Sequence, residues 1–445
     1  MRTEMTRNGS RGSLARALSV VGAVLASGAC DTLLDVELPG SLTEQDLLTP
    51  SLAETLVLSA VADYECAYAE FAASVAGLED VFWESTGWFT RAWAEYTVSS
   101  QNGALDTTPC GEIDTTSGFF TSFQSARFQA EQAHAQISDF DAAEVPNREK
   151  LLAQAATYAG YVYQAFGEHW CEVAVDLGPL MTPDQTLQRG EEWFDQALTH
   201  IQASGDFSTA TTSSMRQLAL LGRARVRFAL GDLQGAAADA EQIPITFQAS
   251  ITRDAGVRKR WNQVYQHHTV NKYSTVAGPV EWQGQVVSQG YRNLTIAPNG
   301  DQTVDDGVPD PRVPVVNTGG LGQDGVTPHW IQTKYNSHGD DMPMARWAEA
   351  QLILAEIEGG QQAVDRINAL RDVHSLPHVS SVDQETLIEE RRREFFYEGR
   401  FHADKLRYDL WFPRAQGFNH KNIAYGPATC LPLSEQERIL NPNIS

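Results

Sequence analysis

Aromatic and polar side chains are concentrated in the segment Glu79–Gln101. Flat aromatic faces stack on the C–H-rich faces of sugar rings, while carboxylates, amides and guanidinium groups hydrogen-bond sugar hydroxyls. The mixture therefore predicts a binding site for a carbohydrate or a similar ligand. The alternative is that the rings pack against helices, because aromatic residues fill cores more often than they bind ligands. The candidate ligand-binding residues of this segment are Trp83, Trp88, Trp93 and Tyr96.

Three further candidate rings occur in the segment 245–336, where Gly, Pro, Asn and Asp divide short apolar pieces. This composition predicts loops, hairpins and a few short strands. Loops held on a rigid scaffold are where binding residues concentrate, so Trp282, Tyr291 and Trp330 are additional candidates. A ring that contacts ligand should not be needed for folding. Trp88→Ala or Trp93→Ala is therefore expected to weaken binding by ~1–3 kcal/mol and to leave folding intact.

Residues that could support catalysis do not occur in a catalytic pattern. A glycosidase needs two carboxyl groups about 5–9.5 Å apart across a sugar, a geometry that sequence neighbours do not supply by themselves. With 57 acidic residues, adjacent pairs arise by chance. The sequence also contains no Gly-x-Ser-x-Gly, phosphate-binding glycine loop or HExxH. We expect no enzymatic activity. The adjacent pairs are Asp305-Asp306, Asp340-Asp341 and Glu389-Glu390.

Possible metal ligands are equally sparse. Adjacent histidines such as His267-His268 point in different directions on a helix or a strand. Oxygen ligands cluster between Asn299 and Asp310, but Val304 stands where an EF-hand needs glycine, and turn formation is the alternative. The five cysteines match no zinc pattern. The sequence predicts no metal site and no cofactor, with Ca²⁺ binding by the 299–310 loop left open.

Helical repeats must position these residues. Segments Lys150–His169, Gly190–Ala203, Ser214–Leu230 and Asp232–Gln242 predict helices between short turns, after a first helix at Thr43–Ala67. The turn Leu230-Gly231-Asp232-Leu233, with Gly235-Ala236, is typical of tetratricopeptide (TPR) helix pairs. The prediction is a mainly α fold: a TPR-like scaffold of helix pairs with loop-rich insertions and a few short strands.

The stretch Leu387–Arg407 combines charges of both signs with aromatic residues and predicts a structural helix that Gly399 ends. It resembles the C-terminal signature of the RagB/SusD family, ER-x-x-E-hydrophobic-x-x-E-G-x-R-x-x-D-L-x-R. Glu390, Arg391, Glu394, Phe395, Glu398, Gly399, Arg400, Asp404 and Arg407 match it, and Lys405 interrupts the Asp-Leu-x-Arg run.

Further motifs follow in family order through the last third of the chain. They are Asp310-Pro311-Arg312, Lys334-Tyr335, Arg346-Trp347-Ala348-Glu349, Ile367-Asn368-x-x-Arg371, Leu431-Pro432-Leu433-Ser434-x-x-Glu437 and Asn441-Pro442-Asn443. The resemblance implies a SusD-like unit over residues 30–445. Within it we distinguish a tether (30–42), a TPR-like helical part (43–244), the loop-rich insertion (245–336) and the part that carries the motifs (337–445).

The resemblance also implies a function. A SusD-like lipoprotein of the outer membrane binds a nutrient, here a glycan by expectation, and delivers it to a TonB-dependent, SusC-like β-barrel transporter. The alternative is a TPR-like scaffold lipoprotein of the cell envelope that binds protein. The net charge of −24 disfavours nucleic acid as a partner, because phosphates would be repelled.

Residues 1–29 predict a lipoprotein signal peptide, with a basic start, the apolar stretch Ala17–Ala26 and Ala29 before Cys30. Ser27 stands where leucine is usual, so an ordinary secretory signal is the alternative to lipidation at Cys30. The expected location is the outer membrane, lipid-anchored and exposed at the cell surface. With Cys30 lipidated, four cysteines remain and allow three pairings. We favour Cys66 with Cys110 and Cys171 with Cys430.

Overall fold

Paired helices form the scaffold of the molecule. The computed structural model describes residues 49–86, 90–100 and 119–444. Predictions for residues 1–48, which include Cys30, and those for Trp88 and Cys110 fall outside the described residues. The helices are α1 (Ala53–Val75), α2 (Thr90–Ala94), α3 (Phe119–Asp139), α4 (Arg148–His169), α5 (Pro183–Ser204), α6 (Met215–Leu230), α7 (Leu233–Ala240), α8 (Trp347–Glu358), α9 (Gly360–Val373), α10 (Gln384–Glu394), α11 (Phe401–Arg407) and α12 (Glu435–Leu440).

Consecutive helices pack on one another, α4 on α5, α5 on α6, α6 on α7 and α8 on α9, as the TPR-like pattern predicts. Local sequence explains several of their ends. Thr182 and Gln185 form a capping box at the start of α5, and Ser214 caps α6. Gly231 ends α6 in a left-handed conformation (φ +83°), which lets the chain turn directly into α7.

Short strands form the loop-rich part. They are β1 (Phe82–Glu84), β2 (Gln248–Ile251), β3 (Ser274–Val276), β4 (Val280–Trp282), β5 (Gln285–Ser288), β6 (Leu294–Ile296), β7 (Gln302–Val304), β8 (Val308–Pro309), β9 (Val315–Leu321), β10 (Pro328–Gln332) and β11 (Met342–Arg346). Strands β1 and β3, β2 and β11, β4 and β5, and β9 and β10 pair antiparallel, while β6 lies between β7 and β8. The segment 245–336 therefore contains the hairpins and short strands expected from its composition.

The core lies where the first helices meet, and aromatic rings dominate it. Tyr64 and Phe71 of α1 contact rings of α3 and α4, and Trp170 closes the cluster just after α4. Burying each such ring stabilises the fold by about 1.5–3 kcal/mol. The residues Pro50–Ser445 form one compact unit. Among the described residues, none of the helices is both long enough and apolar enough to span a bilayer.

Several predicted helix boundaries are wrong. Helix α5 begins at Pro183 rather than Gly190, where the capping box of Thr182 and Gln185 starts it. Helix α1 continues to Val75 instead of ending at Ala67, because its buried face continues through Phe71. The stretch Leu387–Arg407 is two helices, since α10 ends at Glu394 and α11 begins at Phe401. Tyr397 (φ +56°) and Gly399 (φ +66°) adopt left-handed conformations between them. The chain therefore leaves the helical conformation between Glu394 and Phe401.

The cysteine pairing is consistent with the prediction where the structure describes it. Cys171 and Cys430 form a disulfide with a Cα–Cα distance of 5.2 Å. The bond connects the end of α4 to the C-terminal segment, across a sequence separation of 259 residues. Cys66 is also disulfide-bonded, and its partner lies outside the described residues.

Candidate functional site

Two tryptophans that are far apart in sequence lie on either side of strand β3. In β1, Phe82 and Glu84 are buried while Trp83 faces the other way and is half-buried, as alternation along a strand requires. Trp83 lies opposite Thr275 in the β1–β3 register. The backbone N–H of Trp330 donates to the Thr275 hydroxyl (2.8 Å). Strand β3 thus brings Trp83 and Trp330 to one surface.

Arg292 lies over both of these rings. Its guanidinium carbon is 4.7 Å from the ring centroid of Trp83 and 5.1 Å from that of Trp330. The Nε of Arg292 donates to the carbonyl of Val276 at 2.6 Å, which fixes the side chain against β3. Cation–π attraction to two faces holds the group further. We call Trp83, Arg292 and Trp330 the tryptophan–arginine cluster.

Arg292 forms no ion pair with any described residue, and burial lowers its pKa to about 10. That value still leaves the guanidinium charged at neutral pH. Its hydrogen bond to Val276 and the two ring faces compensate for part of the lost hydration, since a charge taken out of water needs such partners. The cluster therefore presents a cation framed by aromatic rings.

His420 and Lys421 form the rim of the cluster. The His420 ring stacks on Trp83, with centroids 4.7 Å apart and planes at 13°. Burial, together with the charges of Lys421 and Arg292, lowers the pKa of His420 to about 4, so it is neutral at pH 7. Lys421 contacts the carboxylates of Glu84 (3.2 Å) and Asp324 (2.7 Å).

The two rim carboxyl groups differ in protonation. Burial raises the pKa of Glu84 to about 7 in spite of the opposing charge of Lys421. Burial would also raise the pKa of Asp324, but hydrogen bonds from Lys421 and Thr327 outweigh it and lower that pKa. The negative charge next to the cluster is thus weak at Glu84, and at Asp324 it is balanced by Lys421.

The hairpin loop between β9 and β10 is tied to the segment after β1. The Asp324 N–H donates to the carbonyl of Ser85 (2.7 Å), and the Thr86 hydroxyl donates to Gln323. The loop therefore holds the chain that leads away from Trp83. Trp88 follows two residues later and lies outside the described residues, so it remains an untested candidate.

Trp282 contacts a second side of the loop that carries His420. The ring lies against Gly417, where an added Cβ would come within 2.0 Å of a ring carbon. Gly417 has φ +79°, so a side chain there would also strain the backbone. Trp282 is half-buried and stays a candidate. The loop around residues 417–420 contacts both Trp282 and Trp83.

Three candidate rings are buried, and a ligand-binding role for them is wrong. Trp93 is 0% exposed and packs on Phe119 in the core (centroids 5.4 Å apart). Tyr96 is 1% exposed, and its hydroxyl contacts Asp80 and accepts from Lys405 Nζ (3.0 Å).

Tyr291, also 0% exposed, stacks on Phe396 and lies beneath Arg392. For Trp93, Tyr96 and Tyr291 alike, the alternative considered from the sequence holds: the rings fill the core.

A cleft of about 920 Å³ lies between α10 and strands β5 and β7. Its cationic groups already pair with carboxylates. Glu389 pairs with Arg392 (2.6 Å) and Arg393 (2.8 Å), and Lys405 pairs with Asp80 (2.8 Å). The cleft therefore offers no unpaired cation to a ligand, whereas Arg292 of the tryptophan–arginine cluster pairs with no described carboxylate. We therefore favour the cluster over this cleft.

The sequence motifs between residues 310 and 398 meet in a buried ionic network. Arg312 pairs with Asp310 (2.7 Å) and with Glu390 (2.5 Å), which also pairs with Arg371 (2.6 Å). Burial would raise the pKa of Glu390, but the charges of Arg312 and Arg371 outweigh it and lower that pKa. These carboxylates neutralise arginines, so they are not free for acid–base chemistry.

The remaining motif residues extend the same network. Lys334 and Arg346 both pair with Glu398 (2.5 and 2.8 Å). Glu349 pairs with Arg400 (2.9 Å) and with Arg225 of α6. The motifs thus join the C-terminal helices to the helical scaffold, which is the structural role predicted for the Leu387–Arg407 stretch.

The residues considered as possible metal ligands already have other contacts. His267 and His268 are buried, and burial lowers the pKa of His268 to about 3, so it is neutral. His268 Nε2 is 3.0 Å from the carbonyl of Ala73. Asp310 of the 299–310 loop pairs with Arg312 and Arg393. Across the described residues, no group of three or more His, Cys, Asp or Glu side chains could hold a metal ion.

Sequence reasoning identified Trp83 and Trp330 but missed Arg292, His420 and Lys421. Aromatic composition drew attention to Tyr291, which is buried, while its neighbour Arg292 reaches the surface site. A single sequence does not show which of two neighbouring residues, here Tyr291 and Arg292, reaches the surface. The signal that could have found Arg292 is its place in the loop-rich segment, where binding residues concentrate.

Comparison with solved structures identifies the fold. A SusD-like carbohydrate-binding protein from Bacteroides vulgatus superposes with a TM-score of 0.59 at 12% identity, covering 89% of this chain and 97% of its own. The surface glycan-binding protein A from Bacteroides uniformis gives a TM-score of 0.55 at 14% identity, with coverages of 88% and 99%.

A third structure, crystallised with a xylogluco-oligosaccharide, gives a TM-score of 0.52 at 15% identity, with coverages of 81% and 84%. No protein-family model and no curated protein matches the sequence. The chain has the SusD-like fold, a TPR-like helical scaffold with loop-rich insertions, as the resemblance of its motifs implied.

Proposed function

We propose that this chain is a nutrient-binding protein of the RagB/SusD type that binds a glycan at the tryptophan–arginine cluster. The observation that carries the proposal is the presence of half-buried tryptophans on the loop-rich part of a SusD-like scaffold. Such rings offer apolar surface to sugar rings, and the neighbouring guanidinium offers donors to hydroxyls. Neighbours with the same fold include carbohydrate-binding proteins and one solved with an oligosaccharide.

The cluster is held in place by the protein itself. Trp330 is hydrogen-bonded to β3, Arg292 to the carbonyl of Val276, and the 322–327 loop to Ser85. A site that is already ordered loses little conformational entropy when it binds a ligand. The carboxylates of the motifs are committed to ion pairs, so we assign the protein a binding role without catalysis.

The sequence supports a location and a partner for this protein. The segment 1–29 and Cys30 support a lipid anchor in the outer membrane, with the binding unit exposed at the cell surface. The resemblance to RagB/SusD proteins supports delivery of the glycan to a TonB-dependent, SusC-like barrel. In this mechanism the protein covers the barrel, docks on it through the helical scaffold, and releases the ligand into it.

Affinity purification of the tagged, full-length protein from its native membranes tests the transport role, with mass spectrometry of the chains that copurify. Recovery of a large β-barrel transporter is expected. Recovery of assembly or periplasmic proteins alone would instead support the scaffold alternative. Cys30→Ala is the control for the lipid anchor. In detergent phase separation, the wild type should enter the detergent phase and the variant should stay in the aqueous phase. Unchanged partitioning of the variant would contradict lipidation at Cys30.

A further inference from the structure

Arg292 differs from the arginines of the buried ionic network because no described carboxylate neutralises its charge. Arg312 and Arg371 each contact at least one carboxylate within 2.7 Å. Arg292 is partly buried, yet no described carboxylate pairs with it. Removing a charge from water is costly unless the charge is paired, so an uncompensated guanidinium in a binding site favours a negatively charged partner.

The geometry leaves part of the guanidinium available. Nε donates to the carbonyl of Val276 at 2.6 Å, and Nη2 is 3.5 Å from the Thr275 hydroxyl. That hydroxyl donates to the carbonyl of Pro328 and also accepts from the N–H of Trp330, so Nη2 makes only a long hydrogen bond there and keeps its second N–H for a ligand. Among the described residues, Nη1 has no hydrogen-bond acceptor. Two terminal nitrogens in a planar fork match the two oxygens of a carboxylate or sulfate.

Neighbouring charges do not neutralise Arg292. Asp324 contacts Lys421 (2.7 Å) and also accepts hydrogen bonds from the Thr327 hydroxyl (2.6 Å) and the Val326 N–H (3.0 Å). Lys421 is shared between Asp324 and Glu84. His420 is neutral at pH 7 because its pKa is lowered to about 4. Arg292 is therefore the cation that the cluster can offer to a ligand.

We propose that the tryptophan–arginine cluster selects a glycan that carries a negatively charged sugar unit, and that Arg292 binds the carboxylate or sulfate of that unit. Trp83 and Trp330 hold the guanidinium in orientation, and the half-buried ring of Trp330 contacts the apolar side of the sugar. This inference rests on the proposed glycan-binding function and adds the chemical class of the ligand. Arg292, rather than one of the aromatic rings, would then determine the preference for an anionic glycan.

Matched pairs of oligosaccharides test the inference directly. The probes are oligomers of galacturonan, mannuronan and heparosan, each beside its carboxyl-reduced form, and κ-carrageenan beside its desulfated form. Binding is measured by calorimetry to the mature wild type, Arg292→Gln, Arg292→Lys and Arg258→Gln. Arg258 is the matched control, because it lies over Trp261 (5.8 Å) away from the cluster. Thermal unfolding establishes that each variant is folded.

At least one anionic probe should bind the wild type more tightly than its neutral counterpart. Arg292→Gln should weaken that binding ~10- to 100-fold, the usual range for a charge-assisted hydrogen bond, and remove the preference for the anionic form. Arg292→Lys should fall between, since lysine keeps the charge but loses the planar fork. Arg258→Gln should bind as the wild type does. Preference for the uronates or for carrageenan distinguishes carboxylate from sulfate.

Neutral forms that bind as tightly as anionic ones, with Arg292→Gln unchanged, would overturn the anionic preference and leave glycan binding in place. If every probe, anionic or neutral, failed to bind the folded wild type, both this inference and glycan binding at the cluster would be contradicted. Loss of affinity in Arg258→Gln equal to that in Arg292→Gln would also overturn the assignment to Arg292.

Discussion

Arg371 donates from Nε and Nη2 to a single carboxylate oxygen of Glu390 (3.1 and 2.6 Å), and neither side chain is exposed. The two residues belong to different sequence motifs, one on α9 and one on α10. The other oxygen of Glu390 accepts from Arg312. One buried carboxylate therefore joins three motifs, and their chemistry stabilises the fold that presents the binding loops.

Removing one partner of this network should be strongly destabilising. Arg371→Ala leaves Glu390 buried with one guanidinium fewer, and such changes cost about 3–5 kcal/mol. Urea denaturation should show this loss in the free energy of unfolding. Arg366→Ala on the same helix is the control, because Arg366 pairs with the more exposed Glu358 and surface pairs contribute about 0–1 kcal/mol. Equal stability of the two variants would contradict a structural role for the motif.

Trp93→Ala should lower stability without changing the binding site. The ring is 0% exposed, and truncating a buried tryptophan costs about 3–5 kcal/mol. From the sequence alone, Trp93→Ala was expected to weaken ligand binding and leave folding intact. The buried position of the ring predicts the reverse. Thermal unfolding and glycan affinity, both measured on the fraction that stays folded, separate the two roles. A stable Trp93→Ala variant that had lost ligand would place Trp93 in the site after all.

The contribution of Glu79 to stability should fall between about pH 4.5 and pH 8. Burial raises the pKa of this carboxyl from 4.5 to about 8, although the N–H of His402 donates to it. In that range the folded state keeps the proton while the unfolded state releases it, so rising pH favours unfolding. Below pH 4.5 both states are protonated and the penalty is absent.

Glu79→Gln removes this titration and keeps the shape of the side chain. The stability of the variant relative to the wild type should therefore increase as pH rises through the window, by up to a few kcal/mol. Chemical denaturation at pH 5 and pH 8 measures the difference. Parallel stability profiles for the two proteins would show that Glu79 titrates normally in the folded state.

Replacing both Cys171 and Cys430 by serine should cost about 2–5 kcal/mol, because the bond closes a long loop and restricts the unfolded chain. The double variant is preferable to a reducing agent, which would also reduce the bond at Cys66. The melting temperature of the double variant should fall below that of the wild type. Identical melting curves would show that the bond contributes nothing to stability.

The sequence predicted the scaffold better than the site. Helices from Arg148 to Ala240 follow the apolar periodicity and the capping residues, so their existence could be predicted, although the start of α5 was placed at Gly190 instead of Pro183. The break after Glu394 was missed because the mixture of charged and aromatic residues continues beyond Glu394. Ion pairs with distant residues, such as those of Arg346 with Glu394 and Glu398, stabilise a non-helical backbone there instead. The spacing of residues along the chain does not indicate such contacts with distant residues.

Ring exposure could not be predicted from one sequence either. Trp83 and Trp93 lie in the same aromatic segment, yet one is half-buried at the surface and the other is in the core. Their difference arises from pairing with β3 in one case and packing against α3 in the other. Arg292 joins the site through the carbonyl of Val276, a contact that no sequence pattern indicates.

The most direct test is calorimetric titration of the glycan that binds the wild type into Trp83→Ala, Trp330→Ala and Trp261→Ala. Trp261 is the control, a half-buried ring stacked on His338 outside the cluster (4.1 Å). We predict that the first two variants stay folded and lose ~1–3 kcal/mol of binding free energy, while Trp261→Ala binds normally. Wild-type affinity in both Trp83→Ala and Trp330→Ala would show that the tryptophan–arginine cluster does not bind the nutrient.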